Sequence, residues 1–145
     1  MGEDARAFPD WESLYQNQRT ELMPWYTEHL DADLERELDE RKILGGKFLD
    51  LGTGPGTQAM RLSERGFTVT ASDLSETAIR KASINRSKGA SKINFVVDDI
   101  LHSGFKESEF DFVFDRGCFH VISPNDRLRY VHEVNRILKE GGFLF

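Results

Sequence analysis

The chain has 145 residues, of which 30% are charged, and a formal net charge of −6. This length suits one domain with a sizeable core. No apolar run approaches the ~18 residues of a membrane span, and the single cysteine, Cys118, excludes an internal disulfide or a site with several thiolate ligands. The acidic N-terminus lacks the basic and apolar regions of a signal peptide, so we expect a cytoplasmic protein.

Acidic residues are concentrated at the N-terminal end. Residues 1–44 carry 12 acidic and 5 basic residues, whereas residues 45–145 carry 13 and 14. Neither part shows the basic stripe typical of proteins that bind nucleic acid. A solvated acidic helix explains the excess, and an acidic docking surface is the alternative.

The first 45 residues are predicted to form an N-terminal helical segment. Three leucines at four-residue intervals indicate one apolar helix face: Leu30, Leu34 and Leu38. Gly45-Gly46 is predicted to end this helix. Pro24 is predicted to separate it from an earlier helical stretch over residues 11–20.

Strand and helix signals alternate from Lys47 onward. The predicted strands are KFLDL, FTVTAS, INFVV and FDFVF, and FLF begins a fifth. A first helix is predicted to end at Gly66, and a second to be capped by Ser75 and closed by Gly89. This order predicts an α/β fold with a parallel sheet, in which right-handed crossovers place the early helices on alternating sides.

A last helix is predicted before the fifth strand. Ser123 would cap it, Pro124 would occupy its first turn, and Gly141-Gly142 would end it. One apolar face is predicted from four residues: Leu128, Val131, Val134 and Leu138. Because the chain stops three residues into the fifth strand, we expect residues 46–145 to be a shortened form of a larger domain.

The segment FLDLGTGPG (residues 48–56) places an acid and three alternating glycines at the end of the first strand. Glycine permits a sharp turn and a close approach of a ligand, and ligands of such sheets bind at the carboxyl ends of the strands. A turn that binds a dinucleotide has the spacing G-x-G-x-x-G/A. Here Thr57 occupies the last position of that motif, where glycine or alanine is expected. Asp50 would repel a pyrophosphate and suits a ligand with ammonium and sulfonium groups, such as S-adenosylmethionine.

These residues make the chain resemble the class I S-adenosylmethionine-dependent methyltransferases from about Lys47 to Phe145. FLDLGTGPG, TASDLSETAI, FVVDDIL and FDFVFDRGCFHVI resemble four family motifs in order, and RILKEGGFLF resembles the helix, glycine turn and fifth strand that follow. The resemblance implies a Rossmann-like doubly wound parallel sheet. The last two strands of the family fold, which often help to shape the acceptor pocket, are absent from these residues.

The resemblance also implies cofactor-binding residues. The first motif supplies Asp50, Gly52, Thr53, Gly54 and Gly56. In the second, Asp73 would bind the ribose hydroxyls, and Leu74 would pack on the adenine. In the third, Asp99 would bind the adenine amino group, and the Ile100 backbone would meet the ring edge. In the fourth, Asp115 and the Arg116 backbone would line the methionine end.

The stretch MPWYTEHLD resembles the entry helix of family members with a Pro-Trp pair. Trp25 or Tyr26 would then fold over the cofactor, and packing in the core is the alternative for both. Asp98, next to Asp99, is expected to be solvated because adjacent strand residues point in opposite directions.

Two residues after the fourth strand are candidates for chemistry. His120 is a candidate for a general base and Cys118 for a nucleophile, and neither has a partner visible in the sequence. The other three histidines show no metal-ligand spacing, so no metal site is predicted: His29, His102 and His132.

The sequence therefore predicts a methyltransferase that moves a methyl group from S-adenosylmethionine to a small molecule by direct displacement. No nucleic-acid or membrane partner is expected. Two alternatives remain: a module that binds the cofactor without turnover, and a nicotinamide-dependent oxidoreductase.

Overall fold

A computed structural model of the chain describes residues 10–85 and 92–145. The helices are α1 (Trp11–Asn17), α2 (Ala32–Glu40), α3 (Thr57–Glu64), α4 (Glu76–Asn85) and α5 (Arg127–Ile137). The strands are β1 (Lys47–Leu51), β2 (Thr68–Asp73), β3 (Asn94–Val97), β4 (Phe110–Asp115) and β5 (Leu138–Leu144). Short 3-10 helices cover Thr20–Leu22, Ile100–His102, Phe119–Val121 and Pro124–Asp126. Within the described ranges, no helix combines the length and apolar character needed to cross a bilayer.

The five strands form one parallel sheet in the order β3-β2-β1-β4-β5, which confirms the predicted Rossmann-like fold. β1 lies at the centre, with Leu49 level with Thr70 of β2 and Val113 of β4. After β1, the chain adds β2 and β3 on one side of the sheet and then returns to add β4 and β5 on the other side of β1. This reversal opens a crevice at the carboxyl ends of the strands.

The core lies on both faces of the sheet because successive residues of a strand point in opposite directions. Phe48 of β1 packs with Leu38 of α2 and Leu62 of α3 on one face. Leu49 packs with Val113 of β4 and Ile137 of α5 on the other. All these side chains are fully buried. A strand covered on both faces explains the near-continuous apolar run at β1.

The prediction that the early helices alternate between the two faces is wrong. The connections β1 to β2 and β2 to β3 step in the same direction across the sheet, so right-handed crossovers place α3 and α4 on one face. A Cβ at Gly56, which caps α3, would lie 3.0 Å from the Cβ of Ala82 on α4. α5 covers the opposite face because it follows the reversal.

The N-terminal helices are shorter than predicted. Asp31 accepts hydrogen bonds from the N–H groups of Asp33 and Leu34, both at 3.1 Å, so α2 begins only at Ala32. Leu30 is buried but precedes the helix. Lys42 has a φ of +54°, and this left-handed residue ends the helix before Gly45-Gly46.

The two helix boundaries next to β2 behave as predicted where the structure describes them. Gly66, with a φ of +100°, follows α3. The Ser75 hydroxyl accepts the N–H of Ala78 at 3.0 Å and so caps α4. The glycine predicted to close α4, Gly89, lies outside the described residues.

The buried face of α5 differs from the predicted one. Leu128 is 81% exposed and Val131 is 52% exposed, whereas Tyr130 is buried. The Tyr130 hydroxyl donates a hydrogen bond to Asp115, and this contact joins the helix to the end of β4. Ser123 precedes the helix but makes no side-chain cap. Val134 is buried as predicted, so the apolar period identified part of the buried face and missed its Tyr130 side.

The end of α5 also differs from the prediction. The helix stops at Ile137, and Leu138 already has the extended backbone of β5. Gly141 and Gly142 lie inside that strand. A Cβ at Gly142 would stand 2.7 Å from the carbonyl oxygen of Asp111, so the neighbouring strand leaves no room for a side chain there.

Candidate functional site

A cavity of about 820 Å³ opens at the carboxyl ends of the strands. Its volume falls within the ~300–1,000 Å³ range of small-molecule sites. The walls come from the glycine turn after β1, the ends of β2 and β3, the loop after β4, and α1. Most predicted site residues line it: Trp25, Asp50, Gly52, Thr53, Gly54, Asp73, Leu74, Asp99, Ile100, Arg116 and His120. Gly56 and Asp115 are not among the lining residues.

The glycine turn has a left-handed backbone, as its sequence predicts. Gly52 and Gly54 have φ angles of +70° and +53°. However, protein groups already occupy the space that side chains would take. A Cβ at Gly52 would collide with the Cys118 sulfur, and one at Gly54 would stand 2.8 Å from the Tyr15 hydroxyl. The two glycines therefore admit these side chains, in addition to any ligand.

Gly56 has a packing position instead of a place in the cavity. It caps α3 with a φ of +84°, and its missing side chain leaves room for Ala82 and for Phe95 of β3. The third glycine thus allows α3 and α4 to approach each other closely.

Asp50 is a buried acid in the cavity wall. It is 3% exposed, and its carboxylate accepts a hydrogen bond of 2.6 Å from the Thr53 hydroxyl. Burial raises the pKa of Asp50 to about 7, against the opposing effect of this hydrogen bond. The nearby Asp73 also raises this pKa, and Arg116 lowers it. A cation in the cavity would favour the ionised form of Asp50.

Asp73, at the end of β2, joins the glycine turn to the start of α4. Its two carboxylate oxygens accept the N–H groups of Gly54 and Ser75, each at 3.0 Å. Burial raises its pKa, and these backbone hydrogen bonds oppose that shift. Leu74 is 57% exposed beside it and offers an apolar surface to the cavity.

Two adjacent acids follow β3. Asp99 accepts the N–H of Leu101 at 3.0 Å and lines the cavity, with Ile100 buried behind it. Asp98 was expected to be solvated, which is wrong. One of its oxygens accepts the N–H of Gly104 at 2.8 Å, and the other is buried with no hydrogen-bond partner among the described residues.

Asp115 holds the loop after β4 instead of facing the cavity. It accepts the N–H groups of Cys118 at 2.6 Å and Phe119 at 3.0 Å, together with the Tyr130 hydroxyl. Arg116 does line the cavity. Asp115 thus stabilises the loop and Arg116 lines the cavity, whereas the motif predicted that both residues would line the cofactor site.

The two candidates for chemistry differ in exposure. His120 is exposed at the rim of the cavity. Cys118 is half-buried, and burial together with the nearby carboxylate of Asp115 raises the pKa of its thiol. Because the thiolate is the reactive form, this environment disfavours Cys118 as a nucleophile. Across residues 10–85 and 92–145, no three acid, histidine or cysteine side chains are arranged to hold a metal ion.

Helix α1 supplies cavity residues that sequence reasoning missed. Trp11 and Tyr15 line the cavity, and Trp11 packs edge-on against Trp25 with ring centroids 5.8 Å apart. Glu12 accepts hydrogen bonds from Ser75 and Thr77, which ties α1 to the start of α4. The signal available in the sequence was a pair of aromatic residues one helical turn apart, Trp11 and Tyr15, upstream of Pro24-Trp25.

The cavity lining is strongly acidic. Among the described residues that line it, Arg116 is the one lysine or arginine, whereas seven carry carboxylates: Asp10, Glu12, Asp50, Asp73, Asp98, Asp99 and Asp126. Ser72 is also among the lining residues, and its hydroxyl is fully buried without a partner in the part of the chain that the structure describes. Such a lining favours a cationic or neutral ligand with polar groups.

Residues 48–142 match the family described as "Methyltransferase domain". An uncharacterized methyltransferase of Schizosaccharomyces pombe is 34% identical over 97 residues, which cover 67% of this chain and 67% of the relative. The match therefore spans about two thirds of each protein.

Solved structures show the same architecture. An S-adenosylmethionine-dependent methyltransferase of Methanosarcina mazei is 31% identical, with a TM-score of 0.67, and the match covers 79% of this chain and 56% of that one. A protein solved in a study of the conversion of a disulfide bond into a thioacetal group in echinomycin biosynthesis is 27% identical, with a TM-score of 0.77 and coverage of 88% and 54%. The chain thus spans about half the length of these structures.

Proposed function

Since the chain belongs to the class I S-adenosylmethionine-dependent methyltransferases, we propose that its cavity binds S-adenosylmethionine and that the enzyme methylates an uncharged or cationic small molecule. The observation that carries the proposal is the acidic cavity at the glycine turn, with seven carboxylates and one guanidinium among its described lining residues. The family is established by the matches, whereas the acceptor is inferred from the chemistry of the walls.

The lining fits the cofactor on structural grounds. Asp50 and Asp73 stand on either side of the glycine turn, and their charge complements a ligand with sulfonium and ammonium groups. The buried hydroxyl of Ser72 and one oxygen of Asp98 lack partners among the described residues. Buried polar groups are normally hydrogen-bonded, so these two atoms point to a polar ligand or water in the cavity.

In this proposal, each end of the cavity holds a different part of the cofactor. Asp73 would bind the ribose and Leu74 would cover the adenine, whose edge Asp99 and Ile100 would meet. Asp50 would face the ammonium group. When bound, S-adenosylmethionine supplies a methyl group that its sulfonium has already activated for transfer.

The protein's own contribution is then mainly alignment and exclusion of water. Positioning of reactants can lower a barrier by ~7–11 kcal/mol. Trp11 and Tyr15 of α1 pack with Trp25 and form an aromatic wall of the cavity. His120, exposed at the rim, is the candidate base for an acceptor that arrives protonated.

The charge of the walls limits the acceptor. Arg116 already donates to the carbonyl oxygen of Trp25 at 2.8 Å and lies 3.6 Å from Asp31. Phosphate or carboxylate groups on an acceptor would therefore meet mostly negative charge. This argument favours a neutral or cationic small molecule and opposes nucleic acid, and no membrane partner is proposed. We retain the cytoplasmic location as part of the proposal.

The two alternative functions have less support. A nicotinamide dinucleotide would bring its pyrophosphate beside Asp50 and Asp73, where like charges repel. A module that binds the cofactor without turnover is not favoured by the family match, and neither is the oxidoreductase.

Calorimetric titration tests the proposal directly. The purified chain should bind S-adenosylhomocysteine and S-adenosylmethionine and should not respond to NAD. Transfer of a labelled methyl group to a panel of neutral, cationic and anionic small molecules then tests the acceptor class. Binding of NAD without binding of either adenosyl compound would overturn the cofactor assignment, and transfer only to anionic acceptors would overturn the acceptor class.

A further inference from the structure

Tyr15 lines the cavity, although it is remote in sequence from the motifs of the strand ends. It is 3% exposed, and its hydroxyl lies 2.8 Å from the position of a Cβ on Gly54. The indole nitrogen of Trp25 lies 3.8 Å from the same position. The N-terminal segment thus brings two polar aromatic groups to the middle of the glycine turn.

Two sets of contacts fix Tyr15 in this place. At the end of α1, Lys81 of α4 donates to the carbonyl oxygens of Tyr15 and Gln18. At its start, Glu12 accepts from the N–H and hydroxyl of Thr77 at 2.7 and 2.8 Å. Because α4 holds both ends of this short helix, the Tyr15 ring has a defined position above the turn.

The Tyr15 hydroxyl acts as a neutral donor. Burial and the nearby charge of Asp73 raise the pKa of Tyr15, so the hydroxyl keeps its proton. The Trp25 indole N–H lies close to this hydroxyl and lowers its pKa. Because an indole can only donate, a hydrogen bond between the two would take the Tyr15 oxygen as acceptor and leave the Tyr15 proton for another acceptor. Both carboxylate oxygens of Asp73 already accept backbone N–H groups.

The cofactor proposed above carries one anionic group, its carboxylate, which must enter a cavity with seven carboxylates among its described lining residues. This carboxylate therefore needs hydrogen-bond donors at the position where it binds. Tyr15 and Trp25 lie together over Gly54, and the guanidinium of Arg116 reaches the backbone of Trp25. These three side chains form a group of hydrogen-bond donors within an otherwise acidic lining.

We propose that the Tyr15 hydroxyl, oriented by the Trp25 indole, donates a hydrogen bond to the carboxylate of S-adenosylmethionine. The N-terminal helical segment then recognises the amino-acid part of the cofactor, whereas the strand ends recognise the nucleoside. This assignment rests on the proposed function, because it requires the cofactor to bind in this cavity.

The test compares two ligands that differ in the group at issue. Decarboxylated S-adenosylmethionine keeps the sulfonium and a primary ammonium but lacks the carboxylate. Dissociation constants of both compounds are measured by calorimetry for the wild-type chain, for Tyr15→Phe and for Tyr26→Phe. Tyr26 lies next to Trp25 in sequence but is not among the cavity-lining residues, so it is the matched control.

The wild-type chain should bind S-adenosylmethionine more tightly than its decarboxylated form, and the ratio of the two dissociation constants measures this preference. Tyr15→Phe should reduce the preference about tenfold, as expected for a lost hydrogen bond to a charged group. Tyr26→Phe should leave it unchanged. An equal loss of affinity for both ligands in Tyr15→Phe, or an unchanged preference, would overturn the assignment. If the wild-type chain bound neither ligand, the proposed function itself would fail.

A second variant, Trp25→Phe, tests the role of the indole, and a separate measurement controls for folding defects. Trp25→Phe keeps an aromatic ring in the wall but removes the indole N–H, so it should lower the same preference. Thermal unfolding without ligand should show each variant folded at the temperature of the titrations. A preference that survives in Trp25→Phe would contradict the orienting role of the indole.

Discussion

Asp50 should make both the stability of the protein and its affinity for a cation depend on pH, and Asp50→Asn should remove both effects. The carboxylate is 3% exposed, and burial raises its pKa from an ordinary value of 3.8 to about 7. The folded chain therefore holds a proton on Asp50 at pH values where the unfolded chain has released it. The contribution of Asp50 to the unfolding free energy must then fall as pH rises from about 4 to about 7.

The size of the effect follows from the two pKa values of Asp50. A rise of about three units corresponds to about 4 kcal/mol of stability lost over the whole range. About 2.5 kcal/mol of this loss should occur between pH 5 and pH 8. Asp50→Asn keeps the shape of the side chain without the charge, and the variant should therefore exceed the wild type in stability at pH 8 and approach it at low pH.

Binding of a cationic cofactor should offset the free-energy cost of ionising the buried Asp50. An ammonium group beside Asp50 favours the carboxylate, so the cofactor should displace the proton on binding. With a pKa of about 7 in the free protein, the affinity of the wild-type chain should rise about tenfold between pH 6 and pH 8. Above pH 8 this contribution should reach a plateau.

Two measurements check these expectations. Urea unfolding at several pH values gives the stability difference between the wild type and Asp50→Asn, and calorimetry in buffers of different ionisation enthalpy gives the protons released on binding. Asp126→Asn removes an exposed carboxylate from the same lining and should keep the wild-type slope. A wild-type affinity that stays constant from pH 6 to pH 8, or an equally steep slope in Asp50→Asn, would refute the reasoning.

Three further predictions concern the walls of the cavity. Gly54→Ala should lower the unfolding free energy because of its φ of +53° and its collision with the Tyr15 hydroxyl, and Tyr15→Phe should restore part of the loss in the double variant; strictly additive effects in urea unfolding would argue against the collision. Asp73→Ala should weaken binding of S-adenosylhomocysteine by ~1–3 kcal/mol through loss of charge-assisted hydrogen bonds, and an unchanged dissociation constant would remove the ribose assignment. Glu12→Ala should release α1 from Thr77, so amide exchange in α1 should accelerate while that in β1 stays constant; equal protection in both proteins would show that this anchor is dispensable.

Local patterns predicted the elements that the sheet requires. The apolar run KFLDL became the central strand, Gly66 followed α3, and Ser75 capped α4, because each depends on neighbouring residues alone. The acid and glycines of the first motif also predicted where a ligand would bind, since the end of a central parallel strand lies at the crevice.

Other features were decided by partners far away in the chain. The apolar period of α5 predicted Val134 correctly, but it also predicted Leu128 and Val131 as buried, and both are exposed. The buried position that it missed is Tyr130, whose hydroxyl donates to Asp115. Asp115 itself binds the loop after β4 and is not among the residues that line the cavity, where the motif had placed it. Neither outcome is visible in a period or a short motif, because a helix can rotate about its axis at no cost to its own hydrogen bonds.

The sequence by itself determined the order of strands and helices and placed an acid and a left-handed glycine turn at the end of β1. Only the tertiary structure decided that Tyr15, 39 residues before Gly54, would lie above that turn. The physical reason is that backbone conformation depends on adjacent residues, whereas the wall of a cavity forms where separate elements meet. Those meetings are fixed by packing on the two faces of the sheet, which no single segment encodes.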